Sequence, residues 1–125
     1  MLWPRSVAPG RLQDHALRTA IMAMAQGFPA GTLAAQTEVA LSRFDRRDLL
    51  HTLPMPTLVL GGDCDAIAPP ELQREMAANI RLATLHMVEN TGHFLLLEQP
   101  DACATAVAEW LANAVNSHIP QLEAS

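Results

Sequence analysis

Two short segments in the second half of the chain carry the residues best suited to acid–base chemistry. GGDCDAIAPP, at residues 61–70, contains two aspartates, and ENTGHFLLLEQP, at residues 89–100, contains a histidine directly after a glycine. Each segment follows a short apolar run of the kind that forms a β-strand. An aspartate that holds an imidazole fixes the tautomer of the ring and stabilises its protonated form, so the pair can act as a general base.

The elements around these segments predict that Asp65 and His93 lie side by side. MPTLVLGG, at 55–62, is apolar on nearly every side, which favours a strand inside a parallel sheet, and ATLHMV, at 83–88, is predicted as a second strand. The intervening residues, 69–80, have the periodicity of a helix that begins with proline. Two strands joined by one helix are expected to be parallel and to end at one edge of the sheet, where open α/β sheets build their sites.

Three glycines support this prediction, and a second aspartate offers an alternative to Asp65. Gly61 and Gly62 are expected to let the chain turn away from the first strand, and Gly92 is expected to take a positive φ that directs His93 into the crevice. Asp63 is the alternative acid, although it lies nearer to the strand end. A single Asp after a strand is usually a cap or turn residue, and a single His is usually structural. The matching positions of the two residues favour a functional pair.

The rest of the chain is predicted to be helical. The segments with helical character are 14–26, 32–43, 45–53 and 100–116. Asp14 is expected to cap the first of these helices and Thr32 the second. The first ten residues contain two prolines and a glycine and are expected to be irregular.

Composition narrows the class of protein. With 125 residues, 50% hydrophobic and 17% charged, the chain is expected to form one globular core. A net charge of −5 gives no reason to expect nucleic acid or a membrane surface as a partner. No apolar run reaches the roughly 18 residues of a membrane span. Cys64 and Cys103 lack metal-ligand spacing and are expected to be free thiols of a cytoplasmic protein, and neither a metal nor a cofactor is predicted.

These segments together resemble the C-terminal part of the α/β-hydrolase family. The shared pattern is a strand, Gly-x-x-Asp and a proline, a helix, a second strand, Gly-His, and Glu-x-Pro at the start of the last helix. The residues that match it are Gly62, Asp65, Gly92, His93, Glu98 and Pro100. The resemblance implies a partial α/β-hydrolase fold in which Asp65 is the acid and His93 the general base of a Ser-His-Asp triad.

The resemblance also implies a domain organisation and a substrate class. Residues 1–53 are similar to the end of a helical cap, 54–116 to a βαβα part of the hydrolase core, and 117–125 are expected to be a frayed tail. Members of the family act on esters or enol-lactones, and others are C–C hydrolases, dehalogenases or haloperoxidase-like proteins. A small ester or lactone is therefore the expected substrate, if this chain is part of a complete enzyme.

The nucleophile that such a triad requires is not found in this sequence. No Gly-x-Ser-x-Gly elbow and no HGGG-type segment occur. Ser6 and Ser42 are the serines before Asp65, and neither lies at a predicted strand-to-helix elbow. Cys64 precedes a turn rather than a helix, so it is not expected to replace the serine. The chain is therefore predicted to be a C-terminal fragment of a longer hydrolase and to be inactive alone.

Two other interpretations stay open at this point. The chain could be a non-catalytic remnant or interaction module that pairs through its open sheet edge, as a dimer or with a complementing chain. It could also be an independent protein in which the Asp and the His are incidental.

Overall fold

A parallel βαβ unit with flanking helices makes up the fold. The computed structural model describes residues 3–29 and 31–118. The helices are α1 (Trp3–Ser6), α2 (His15–Gln26), α3 (Thr32–Leu41), α4 (Pro70–Asn79), α5 (Leu95–Glu98) and α6 (Pro100–His118). The strands are β1 (Thr57–Gly62) and β2 (Ala83–Val88), and 3-10 turns occupy Pro9–Arg11 and Arg47–Thr52. Most of the predicted tail, 119–125, lies outside the described residues.

The two strands pair in parallel, as the sequence predicts. Their register runs from Thr57 opposite Ala83 to Gly62 opposite Val88, so both strands end at the same level. Helices α4 and α6 each contact both strands. The predicted α/β class is confirmed, and the turns after β1 and β2 are brought to one edge of the sheet.

Helix α4 buries only part of the face that its sequence predicts. The spacing predicts an apolar stripe of Leu72, Met76, Ala77 and Ile80; Ile80, directly after the helix, is buried, but Leu72 and Met76 are 51% and 39% exposed. The buried residue within the helix is Gln73. Gly61 lies directly beneath the amide of Gln73, which occupies the space that a Cβ would fill. A glycine on β1 thus makes room for a polar side chain, which periodicity alone does not reveal.

The N-terminal residues form part of the core. Trp3, Val7, Leu17 and Ile21 form a buried cluster, and Phe94 packs against it. The first ten residues were expected to be irregular, which was wrong for residues 3–6 and 9–10; residues 1–2 lie outside the described residues. Prolines are compatible with the first turn of a helix, and here they stand near the starts of α1 and of the first 3-10 turn. Trp3 and Val7 consequently lie close to Phe94, the residue that follows His93.

Of the two long N-terminal helices, α2 begins with its predicted cap and α3 does not. Asp14 caps α2, since its carboxylate accepts the Leu17 backbone N–H at 2.9 Å. Thr32 is the first residue of α3 rather than its cap, and Gly31, with φ of 89°, occupies the cap position. A glycine adopts this left-handed conformation without the steric cost that a threonine would meet.

No helix within the described residues has both the length and the apolar character that crossing a membrane requires.

Candidate active site

Asp65 is fixed by the turn that follows β1. Its side chain is buried, and one carboxylate oxygen, Oδ1, accepts the backbone N–H groups of Ile67 and Ala68 at 2.8 Å each. These bonds set the orientation of the carboxylate and compensate part of the cost of its burial. The second oxygen, Oδ2, is left to contact another side chain.

His93 is presented by the turn that follows β2. The predicted positive φ at Gly92 was wrong, because the residue with positive φ in this turn is Asn90, at 51°. Asparagine is among the residues that tolerate this conformation best. Gly92 is needed for a different reason, since a Cβ there would lie 2.6 Å from the Cα of Val7. The turn thus depends on the close approach of the N-terminal backbone.

Asp65 and His93 are in direct contact. The imidazole Nδ1 lies 3.0 Å from Oδ2 of Asp65. The His93 side chain is 41% exposed and the Asp65 side chain 4%. An ionised carboxylate can only accept a hydrogen bond, so opposite an ionised Asp65 it is Nδ1 that donates, and in the neutral ring Nε2 then carries the free lone pair. The predicted meeting of the two side chains is confirmed, and the pair has the geometry of a carboxylate-held general base.

Asp63, the alternative acid, has a different set of partners. Its Oδ1 accepts the backbone N–H of Thr91 at 3.2 Å. Partial burial alone would raise the pKa of Asp63, but hydrogen bonds from the Cys64 thiol and the Thr91 and Asn90 backbone together lower it. Asp63 therefore stabilises the turn that follows β2, while Asp65 provides the carboxylate that contacts the imidazole.

We call the turn after β1, which carries Asp65, the acid turn, and the turn after β2, which carries His93, the histidine turn. The two turns are also joined by backbone contacts. The Cys64 N–H donates to the Thr91 carbonyl at 2.9 Å. A Cβ on Gly62 would overlap that same carbonyl and lie 2.6 Å from the carbonyl oxygen of Gly92. The absence of a side chain at Gly62 therefore allows the two turns to touch.

Substituting Gly62 by alanine is expected to destabilise the protein by about 1–3 kcal/mol, because the added methyl group meets rigid backbone atoms. The midpoint of urea unfolding measures this loss. Gly10→Ala is the matched control, since a Cβ at that position would meet no atom within 4 Å apart from the adjoining backbone. Equal midpoints for the two variants would contradict the close contact of the turns.

Glu98 is a site residue whose contacts the sequence did not predict. It was assigned only to the start of the last helix, yet its side chain is 1% exposed. Oε1 accepts the Gly92 N–H at 3.0 Å, and Oε2 accepts the Ala8 N–H at 2.8 Å. An acidic residue that closes the apolar run FLLLE was the available signal, because a carboxylate in such a run needs buried donors.

Cys64 is poorly suited to act as a nucleophile. It is a free, partly buried thiol. Burial, followed by the adjacent Asp63 carboxylate, raises the pKa of Cys64 above its ordinary value. The reactive form of a cysteine is the thiolate, which a raised pKa makes scarcer at neutral pH.

Alkylation of Cys64 by iodoacetamide is therefore expected to be slower at neutral pH than alkylation of an unstructured cysteine peptide. Its rate should keep rising with pH beyond the range in which the peptide reaches its plateau. Peptide mass spectrometry separates Cys64 from the buried Cys103. A plateau at lower pH than that of the peptide would show an activated thiol instead.

Among the described residues, no cluster of three or more His, Cys, Asp or Glu side chains is arranged to hold a metal ion.

Comparison with known proteins identifies the family to which this fold belongs. A family model described as the alpha/beta hydrolase family matches residues 2–106. The structure is similar to that of a thermophilic esterase from Thermogutta terrifontis, with a TM-score of 0.85 and 33% identity, over 90% of this chain and 42% of that one.

Two curated relatives match shorter stretches. A homoserine O-acetyltransferase from Salinibacter ruber is 35% identical over 81 residues, which is 64% of this chain and 23% of the relative. A proline iminopeptidase from Pestalotiopsis fici is 41% identical over 58 residues, which is 46% of this chain and 21% of the relative. This chain thus spans less than a quarter of either relative. Since the family model covers most of its residues, the chain belongs to the alpha/beta hydrolase family.

Proposed function

We propose that this chain supplies the acid and the general base of a Ser-His-Asp triad in an enzyme that hydrolyses small esters or lactones. Asp65 is the acid and His93 the base. The observation that carries the proposal is the 3.0 Å contact between Nδ1 of His93 and Oδ2 of Asp65. In this arrangement Nε2 is the ring nitrogen that can take a proton from a nucleophile.

The reaction follows from this assignment of the ring nitrogens. Nε2 of His93 takes the proton of a serine hydroxyl as its oxygen attacks the acyl carbon of the substrate. The Asp65 carboxylate stabilises the imidazolium that forms. The imidazolium then gives its proton to the departing alcohol oxygen, and a water molecule, activated by the same base, releases the acyl group from the serine.

An acyl substrate is supported by the proteins that this chain resembles. The names of the structural neighbour and the two relatives describe an esterase, an O-acetyltransferase and an iminopeptidase. All three chemistries involve attack on an acyl carbon. The esterase shares the largest part of this chain, which favours an ester or lactone over a peptide.

The serine must come from outside these residues, because the sequence contains no Gly-x-Ser-x-Gly elbow. We call "completed enzyme" this chain joined to a segment that carries such an elbow. One source is an in-frame extension, sought in the genomic DNA upstream of the Met1 codon. Another is a chimera in which this chain replaces the matching part of the esterase from Thermogutta terrifontis.

The purified 125-residue chain is expected to release no p-nitrophenol from p-nitrophenyl acetate above the rate of the buffer. The completed enzyme, assayed in parallel, should hydrolyse the same ester. Turnover by the isolated chain that His93→Ala abolishes would contradict the proposal, because the nucleophile would then lie within these residues.

A further inference from the structure

We propose that Glu98 is a positioning residue for His93. It would act through a buried carboxylate bridge between the histidine turn and the N-terminal residues 6–8, which we call the N-terminal segment. The inference rests on the proposed role of His93 as general base, and it concerns a residue whose carboxylate accepts hydrogen bonds from two backbone N–H groups.

The bridge uses both oxygens of Glu98. Oε1 accepts the N–H of Gly92, the residue directly before His93, at 3.0 Å. Oε2 accepts the N–H of Ala8 at 2.8 Å, across 90 residues of sequence. Because the side chain is only 1% exposed, water does not compete with these two bonds as it would at the surface.

The N-terminal segment completes the support of the histidine backbone. The carbonyl of Ser6 accepts the N–H groups of His93 and Phe94, at 3.0 and 3.3 Å. Three consecutive N–H groups of the histidine turn, at residues 92, 93 and 94, therefore have acceptors on Glu98 and Ser6. Glu98 holds one of these groups directly and keeps the segment that holds the other two in place.

A carboxylate fits this position better than an amide. An ionised carboxylate accepts at both oxygens, whereas a glutamine offers one acceptor and turns an NH₂ group toward the second backbone N–H. The guanidinium of Arg11 donates to the backbone carbonyl of Glu98 at 2.6 Å, which brings a positive charge to the same region. Glu98→Gln therefore removes one bridge bond while it changes the volume of the side chain very little.

Catalytic geometry depends on this backbone support. The Nδ1 to Oδ2 contact already measures 3.0 Å, so a small displacement of the histidine turn weakens the bond that selects the tautomer. A misplacement of about 1 Å can cost a reaction roughly 100-fold in rate. Loss of the bridge is thus expected to appear at the imidazole, not only in overall stability.

The test uses ¹⁵N NMR of the 125-residue chain at a pH where the imidazole is neutral. In the wild-type chain, the ring nitrogen shifts of His93 should report the Nδ1–H tautomer, and the Gly92 and Ala8 amides should exchange slowly with deuterium. In Glu98→Gln, at least one of these amides should exchange about tenfold faster or more, because a bond to a charged acceptor is lost. The ring shifts should move toward the other tautomer.

Glu109→Gln is the matched control, since Glu109 is an exposed residue of α6, and it should leave all of these signals unchanged. Ring shifts of His93 that stay at wild-type values in folded Glu98→Gln would overturn the proposal and leave Glu98 a structural role only. If Glu98→Gln does not fold, the wild-type chain decides. Slow exchange at both amides together with ring shifts of the Nδ1–H tautomer supports the proposal, and fast exchange at either amide or ring shifts of the other tautomer overturns it.

None of these signals requires turnover. A completed enzyme that hydrolyses no ester would refute the proposed function while the ring and amide signals still tested the bridge. Wild-type ring shifts in folded Glu98→Gln would refute the positioning of His93 by Glu98 and leave the hydrolase assignment intact.

Discussion

Replacing His93 by alanine is expected to lower the turnover of the completed enzyme roughly 10⁶-fold, the loss that follows removal of the base from a serine triad. Without the imidazole, no group accepts the serine proton as the hydroxyl attacks, and none returns a proton to the leaving alcohol. The measurement is kcat for p-nitrophenyl acetate under saturating conditions. Binding of the ester should change little, because His93 acts on the proton and not on the acyl chain.

His51→Ala is the matched control for this prediction. His51 is an exposed histidine in the second 3-10 turn, and its removal should leave kcat within a factor of a few. A loss of kcat in His93→Ala that is no larger than in His51→Ala would mean that His93 is not the base. Circular dichroism of both variants checks that the fold is retained.

The contact that underlies this prediction could be predicted from the sequence because it depends on topology. Apolar runs at both strands and one helix between them require parallel pairing and a common edge. The register of β1 and β2 then places the turns that carry Asp65 and His93 opposite each other. Topology alone left Asp63 and Asp65 as candidates, and the Gly-x-x-Asp spacing of the family resemblance favoured Asp65.

The contacts that depend on tertiary packing were not accessible in the same way. Gly92 is required by the approach of Val7, and Gly62 by the approach of Thr91, and neither approach leaves a local pattern in the sequence. The glycines at these positions therefore indicated a tight turn or a close contact, but not which part of the chain makes that contact.

The buried faces of the outer helices were also only partly predictable. The spacing of apolar residues in α6 predicts one buried face that includes Cys103 and Leu111. Within residues 100–115, Cys103 is buried together with Ala106, whereas Leu111 is 48% exposed. Helix α3 has no buried residue, although apolar side chains recur along it. Periodicity shows which side of a helix is apolar, but the area of sheet available to cover it sets how much of that side is buried.

Replacing Asp65 by asparagine is expected to lower kcat of the completed enzyme by about 10⁴ while the fold is retained. The asparagine side-chain oxygen can still accept the N–H groups of Ile67 and Ala68, so the acid turn keeps its local hydrogen bonds. Its NH₂ group, however, faces Nδ1 of His93 in place of Oδ2. The ring must then accept at Nδ1 and carry its hydrogen on Nε2, where it cannot take a proton from the nucleophile.

Asp63→Asn separates this effect from a general loss of negative charge near the site. It removes the same charge two residues away, and its side-chain oxygen can still accept the Thr91 N–H. We expect kcat to fall by no more than a few-fold. If Asp63→Asn instead matched or exceeded the loss in Asp65→Asn, the alternative carboxylate would be the catalytic acid. The two variants therefore decide between a carboxylate that holds the imidazole and one that holds only its turn.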